Sequence, residues 1–325
     1  MTGHVEHASR AGDGPPVLAV DLGGTTMRAA IVDGTGRVLE RCAAPTPHAA
    51  HGPDAVVTLA ATVLERQPVA SAVVAVPGRV HYGTGRLEYA PNLPASWTPS
   101  LTESALRDVL GVPVSLANDA DMAAVGEAVF GAGRGFADVV YITISTGVGA
   151  GVMLGGRLVH GSRSLAEIGH TVIDRRALEE SGPATVEELS SGTALARHVR
   201  ALGLDATGAD LVALIGRDER ARAAWYEVAQ AAGLAVANLA HLFAPDVVVV
   251  GGGVGRSGEV LLAPIRCVLA LHGPRGLGAD LPVVTAALGD DAGLVGAAGW
   301  LVARGLDAEA RPRLYQQQEP SIELS

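Results

Sequence analysis

The chain has 325 residues, 48% hydrophobic and 18% charged, with a formal net charge of −10. This is a soluble globular composition, long enough for two core-forming lobes. The acidic balance disfavours a nucleic-acid surface, which needs a basic patch, and no apolar run approaches the roughly 20 residues that span a bilayer.

The opening MTGHVEHASRAGDGPP lacks the basic start and apolar core of a secretory signal and reads as a disordered tail, 1–16. VLAVDLGG (17–24) is an apolar strand ending in an acid and a glycine turn. TTMRAAIVD and VLERCAAP continue as strands joined by a GTG hairpin turn. DAVVTLAATVLER (54–66) has the apolar period of a helix, and ASAVVAVPG a buried strand. SLTESALRDVL follows as a helix capped near Thr102 or Ser100, then VPVSLA as a strand.

A second unit opens near Asn118. NDADMAAVGEAVF is a helix, and DVVYITISTGVGAGVMLGGRLV is two strands around a glycine turn. ARAAWYEVAQAAGLAVANLAHLF is a long apolar helix, PDVVVVGGGVG a buried strand ending in glycines, LPVVTAAL another strand and DAGLVGAAGWLVAR the last helix. The final residues, 313–325, read as a loose tail. Strand-then-glycine turns recur in both halves, VDLGGTT and ITISTGVGAG, which suggests a duplicated architecture with a nucleotide between two lobes.

The two cysteines, Cys42 and Cys267, lie far apart in no metal-ligand spacing. That fits a reducing cytoplasm, with both as buried small apolar residues. The chain contains no lysine; all 24 of its Lys-plus-Arg residues are arginine. A P-loop lysine is excluded, so any ATP must be held by backbone amides and a metal ion.

In DLGGTT, Gly23, Gly24 and Thr25 can present successive N–H groups to a phosphate, and Asp21 can hold Mg²⁺ through water. A plain hairpin turn is the competing reading. STGVGAG offers Thr146 and Gly147 to a transferring phosphate, against the same alternative. In LANDAD, Asn118 or Asp119 is either an N-cap or, for Asp119, a general base that takes the proton of an attacking hydroxyl. The loops VPGRV, with Gly78, and APNLPASW, with Asn92, either present polar groups to a polyol or are ordinary turns. Gly251, Gly252 and Gly253 can lie against a flat adenine or serve close packing. A nicotinamide site, which needs the G-x-G-x-x-G fingerprint together with a downstream acid at a βαβ junction, is not favoured.

In this order VDLGGTTMRAAIVD, VPGRV, YAPNLPASW, NDAD, ISTGVGAGVMLGGRLVHGSRSLAEIGH, ELSSGTAL and VVVVGGGV resemble the ROK family of sugar kinases, most of all its bacterial glucokinases. The resemblance runs from Val17 to Arg304. It implies the actin-like ATPase (ribonuclease H-like) fold, with two α/β lobes around a central cleft. The small lobe would be 17–117, with the closing helix 291–304 near it, and the large lobe 118–300. It implies that Glu167 and His170, in the family's E-x-G-H motif, bind sugar hydroxyls together with Glu187, Asn92 and Asn118, and that Asp119 is the catalytic base. The cofactors implied are ATP and Mg²⁺, and a homodimer is the family's common form.

One departure stands out. Family members usually carry a C-x-C-G-x-x-G-C zinc knuckle after that histidine, and here the segment is TVIDRRALEESGPATVEELSSG, without cysteine. No zinc is expected, because His170 alone cannot make a structural site. Thr26 stands where many members have lysine. The expected reaction is transfer of the ATP γ-phosphate to the primary hydroxyl of a hexose, glucose favoured, in the cytoplasm. A C7-cyclitol, N-acetylmannosamine or an amino sugar is the alternative acceptor, and polyphosphate an alternative donor. A non-catalytic sugar-responsive regulator is the reading from another class, disfavoured by the intact Asp119. No nucleic-acid or membrane partner is expected.

Overall fold

The computed structural model describes residues 15–65, 67–175, 182–203 and 208–305. The tails read at 1–16 and 313–325 lie outside the described residues, apart from 15 and 16. The first sheet has the order β3-β2-β1-β4-β7. Strands β1 (Val17–Leu22), β2 (Thr26–Val32) and β3 (Val38–Pro45) are antiparallel neighbours. After the helix Gly52–Leu64, β4 (Ser71–Val76) returns parallel to β1, and β7 (Val114–Asn118) parallel to β4.

The second sheet repeats this plan. Strands β8 (Val139–Ile144), β9 (Val148–Leu154) and β10 (Arg157–Leu158) are antiparallel, and β11 (Val247–Gly251) and β12 (Val283–Thr285) continue parallel from β8. Its order is β10-β9-β8-β11-β12. Parallel strands covered on both faces lose their polar alternation, and β11 is buried at every position.

Two helices stand between the sheets. Asp119–Val129 runs along Ala292–Ala303, and the latter also meets β1, β2 and β4. Glycine permits the approach: a Cβ on Gly126 would strike the Ala292 carbonyl, and one on Gly296 the Met122 carbonyl. Met122, Val125, Leu294 and Trp300 share a core with the first sheet, and the long helix Glu219–Phe243 buries Trp225, Val228 and Val236 in the core of the second.

Several elements depart from the sequence reading. A hairpin of β5 (Arg79–His81) and β6 (Arg86–Tyr89) occupies what read as loop. A helix Glu259–His272, with Pro264 inside it, lies between β11 and β12. The long helix begins at Glu219, capped by Asp218, rather than at Ala221. Of the two possible caps, Thr102 serves the helix Glu103–Leu110, its Oγ1 accepting from the Ala105 N–H at 3.1 Å. The cysteines are corrected too: Cys42 is half-buried, against the Leu59 carbonyl and Thr62, and Cys267 is exposed. Small size does not bury a residue whose helix position faces solvent. Among the described residues no helix is long and apolar enough to cross a membrane.

Candidate active site

Strand β7 delivers Asn118, and the helix Asp119–Val129 begins at the next residue. Asn118 is its N-cap: Oδ1 accepts from the N–H groups of Ala120 and Asp121, both at 3.0 Å. Nδ2 donates to the Gly78 carbonyl at 2.9 Å, tying VPGRV to the helix start. Three of the four hydrogen-bonding positions of the amide are thereby used. Asp119 follows, with Oδ1 accepting from its neighbour Ala120 N–H at 2.9 Å. Burial, reinforced by repulsion from Asp21 and Glu167, pushes its carboxyl up to about 7. A carboxylate poised there can take a proton near neutral pH.

Behind Asp119 lies a second carboxylate. Asp121 is fully buried, and its Oδ2 accepts from the Tyr82 hydroxyl at 2.7 Å. That hydroxyl in turn accepts from the Asn118 N–H at 3.1 Å. The Arg304 guanidinium stands 4.3 Å over the Tyr82 ring. Asp121 Oδ1 and Arg304 Nε have no hydrogen-bond partner among the described residues. Burial is the main reason that the Asp121 carboxyl is raised to about 7, opposed by the Tyr82 hydrogen bond.

The glycine turns face this helix start. Asp21 lies near the end of β1 and accepts from Arg28 at 2.6 Å. Burial raises its carboxyl, and the Arg28 charge opposes that rise. The Gly23 N–H donates to the Thr26 carbonyl at 3.0 Å, the Thr25 carbonyl accepts from the Thr46 N–H at 2.9 Å, and Gly24 abuts the Asn92 backbone. The exposed Asn92 is thus carried to the first glycine turn. The second turn, Ser145 to Gly147, is tied to the next segment: the Gly192 N–H donates to the Ser145 carbonyl at 2.6 Å, and the Thr193 hydroxyl to the Thr146 carbonyl at 2.8 Å.

A groove of about 730 Å³ opens beside this turn, lined by Ser145, Thr146, Thr193, Leu195, Ala196, Val212, Gly253 and Val254 among others. Gly252 takes φ +83°, and a Cβ there would strike the Ile144 carbonyl, so glycine lets the GGG turn pass over the end of β8. Gly251 lies against the Tyr141 ring in the same way. Thr193, Leu195, Ala196, Val212 and Arg256 escaped the sequence reading. Only the quoted run ELSSGTAL pointed towards Thr193 and Leu195.

Glu167 and His170 stand 3.9 Å apart at the single turn Ile168–His170, both partly open to solvent. Ala166 before them holds φ +60°, a conformation that costs a β-carbon residue energy. Glu187, expected with this pair, is engaged elsewhere. Its Oε2 accepts from the Val148 N–H at 2.9 Å and faces Gly147, so it braces the second glycine turn.

Asp21 is the one carboxylate of the first glycine turn, and Mg²⁺ commonly takes one or two carboxylates plus substrate phosphates. Only Oδ2 of Asp21 is engaged by Arg28, so the residues fit a magnesium ion that arrives with phosphate. Among the described residues, no group of three or more His, Cys, Asp or Glu side chains could hold a metal ion by itself.

Two sheets of matching order, with polar groups gathered at the ends of β1, β7, β8 and β11, define the actin-like ATPase fold. The profile of the ROK family matches residues 17–304, and the chain belongs to that family. It is 32% identical to a glucokinase of Thermotoga maritima over 87% of this chain and 96% of that one. It is 34% identical to an N-acetylmannosamine kinase of Escherichia fergusonii over 89% and 98%. A ROK family glucokinase from Streptomyces griseus, solved with glucose and AMPPNP, superposes with a TM-score of 0.75 at 34% identity, covering 88% of this chain and 98% of that one.

Proposed function

We propose that the protein is an ATP-dependent sugar kinase that phosphorylates the primary hydroxyl of a hexose, with glucose the favoured acceptor. The observation that carries this reading is Asp119. It sits at a helix start with its carboxyl raised to about 7, influenced by Asp21 of the first glycine turn on one side and Glu167 of the E-x-G-H turn on the other.

Asp119 takes the proton of the sugar hydroxyl as that oxygen bonds to the γ-phosphorus and the bond to the ADP oxygen breaks. Glu167, His170 and Asn92 hold neighbouring hydroxyls, which are donors and acceptors alike. Asn118 and Gly78 fix where Asp119 stands. Glu187 couples the sugar face to the second glycine turn. Backbone N–H groups around Gly23, Gly24 and Gly147 receive phosphate oxygens, and the groove beside Gly251 to Gly253 receives the adenosine. Magnesium, held through Asp21, would neutralise phosphate charge when bound. We read 17–117 and 118–300 as lobes closing on the two substrates, in a cytoplasmic homodimer.

N-acetylmannosamine is the second acceptor to consider, supported by the E. fergusonii relative. The test is ADP release from Mg-ATP with glucose, mannose, glucosamine, N-acetylmannosamine and a C7-cyclitol. Glucose is expected to dominate. Asp119→Asn is expected to bind sugar normally while kcat falls at least about 100-fold, the scale of a lost general base. Ordinary turnover by that variant would refute the assignment.

A further inference from the structure

The chain has no lysine, so a phosphate chain bound beside the second glycine turn must draw any side-chain charge from arginine or histidine. Of the described residues that line the groove beside that turn, one is charged: Arg256. It follows the short helix Gly252–Gly255 as its C-cap, and its Nη2 would stand 3.7 Å from a Cβ built on Gly253, as would Ser145 Oγ. The guanidinium therefore flanks the wall where the GGG turn meets the Ser145 turn.

We propose that Arg256 is the arginine that grips the polyphosphate chain of the nucleotide in this groove, and that Asp290 holds it in place until the nucleotide arrives. The proposal rests on the reading of the groove as the nucleotide site. Arg256 Nη1 donates to Asp290 Oδ1 at 2.6 Å, with both side chains well exposed. An exposed pair of this kind contributes little to stability, so phosphate oxygens can displace the carboxylate. A guanidinium offers them two parallel N–H groups, a geometry that an ammonium lacks.

Arg28 is the other cation nearby, and its role differs. Nη2 is held by the mostly buried Asp21, and Nη1 donates to the Asp290 carbonyl at 2.7 Å. Arg28 thus anchors the Asp290 backbone, while the Asp290 side chain is left to meet Arg256. Asp21, Arg28, Asp290 and Arg256 form one chain of polar contacts from β1 of the first sheet to the GGG turn of the second. Binding at Arg256 would loosen only its last link.

The test is calorimetric titration of the full chain with ADP and, separately, with adenosine. Arg256→Gln is expected to weaken ADP at least ten-fold while adenosine binds as in the wild type, which also reports that the groove is intact. Arg256→Lys is expected to fall between the two for ADP. Asp290→Asn is expected to tighten ADP, because the competing charge is gone. ADP binding by Arg256→Gln within two-fold of the wild type would overturn the proposal and leave the nucleotide reading of the groove standing. A wild type that binds neither ADP nor adenosine would overturn both.

Discussion

Replacing Asp121 by asparagine should change stability little near pH 5 and raise it above neutrality. The wild-type carboxyl is fully buried and raised from an ordinary 3.8 to about 7. Tyr82, Asp119, Glu167 and Arg304 are the titratable groups that act on it. Its folded pKa lies above the unfolded one, so between about pH 4 and pH 7 the folded state holds more protons and loses stability as pH rises. The loss is about 1.4 kcal/mol per pH unit, or roughly 4 kcal/mol in all by pH 8, of which about 2 kcal/mol is already lost at pH 5. Asparagine does not titrate. It keeps an acceptor for the Tyr82 hydroxyl but can place an N–H at the position of the unpartnered Oδ1, at a cost of about 1 kcal/mol. The variant should therefore be about 1 kcal/mol less stable near pH 3, within about 1 kcal/mol of the wild type at pH 5 and about 3 kcal/mol more stable at pH 8. Urea unfolding of both proteins at a series of pH values measures the difference. A stability gap that stays constant from pH 5 to pH 8 would mean that Asp121 is ionised throughout, and would refute the reasoning.

The same physics governs turnover. With the Asp119 carboxyl raised to about 7, kcat/KM for the sugar should rise with pH through that value with a one-proton slope and level off above it; a profile flat from pH 5 to pH 8 would show that no group of that pKa acts in catalysis. Elemental analysis of the purified protein should find no stoichiometric zinc, and dialysis against EDTA should leave the thermal midpoint where it was. A bound equivalent of zinc whose removal lowers the midpoint would show that His170 has partners that the sequence does not reveal.

The frame was legible because its signals are local. Val17–Leu22 and Val247–Gly251 read as buried strands from their apolar runs, and the recurrence of strand-then-glycine turns anticipated two sheets of one order. The helix Glu259–His272 was not read, because Pro264 interrupts its period. The β5–β6 hairpin is too short to show an alternation. Within the site, Asp119 and the glycine turns carry their chemistry in neighbouring residues. Asp121 does not: burial in the fold shifts its charge, together with Tyr82, Glu167 and Arg304, all distant in the chain. Arg256 is likewise one arginine among many until the fold sets it beside Gly253 and against Asp290.

The segment after His170 shows how a site keeps its shape without the thiolates usual in the family. Val172 and Thr185 form an isolated antiparallel bridge, flanked by hydrogen bonds from the Ile173 N–H to the Ala184 carbonyl and from the Val186 N–H to the Thr171 carbonyl. Thr185 and Glu188 then close a capping box on the helix Val186–Ser190, and Glu188 Oε2 also accepts from the Ala184 N–H at 3.0 Å. Val186 is fully buried at the start of that turn. Backbone pairing, a cap and one apolar anchor together fix the residue between them, Glu187, whose carboxylate reaches the Val148 N–H. The zinc is therefore dispensable for placing Glu187. Any change of acceptor would arise from the surroundings of Glu167 and His170, where the side chains stand open, rather than from a collapse of the segment that carries Glu187.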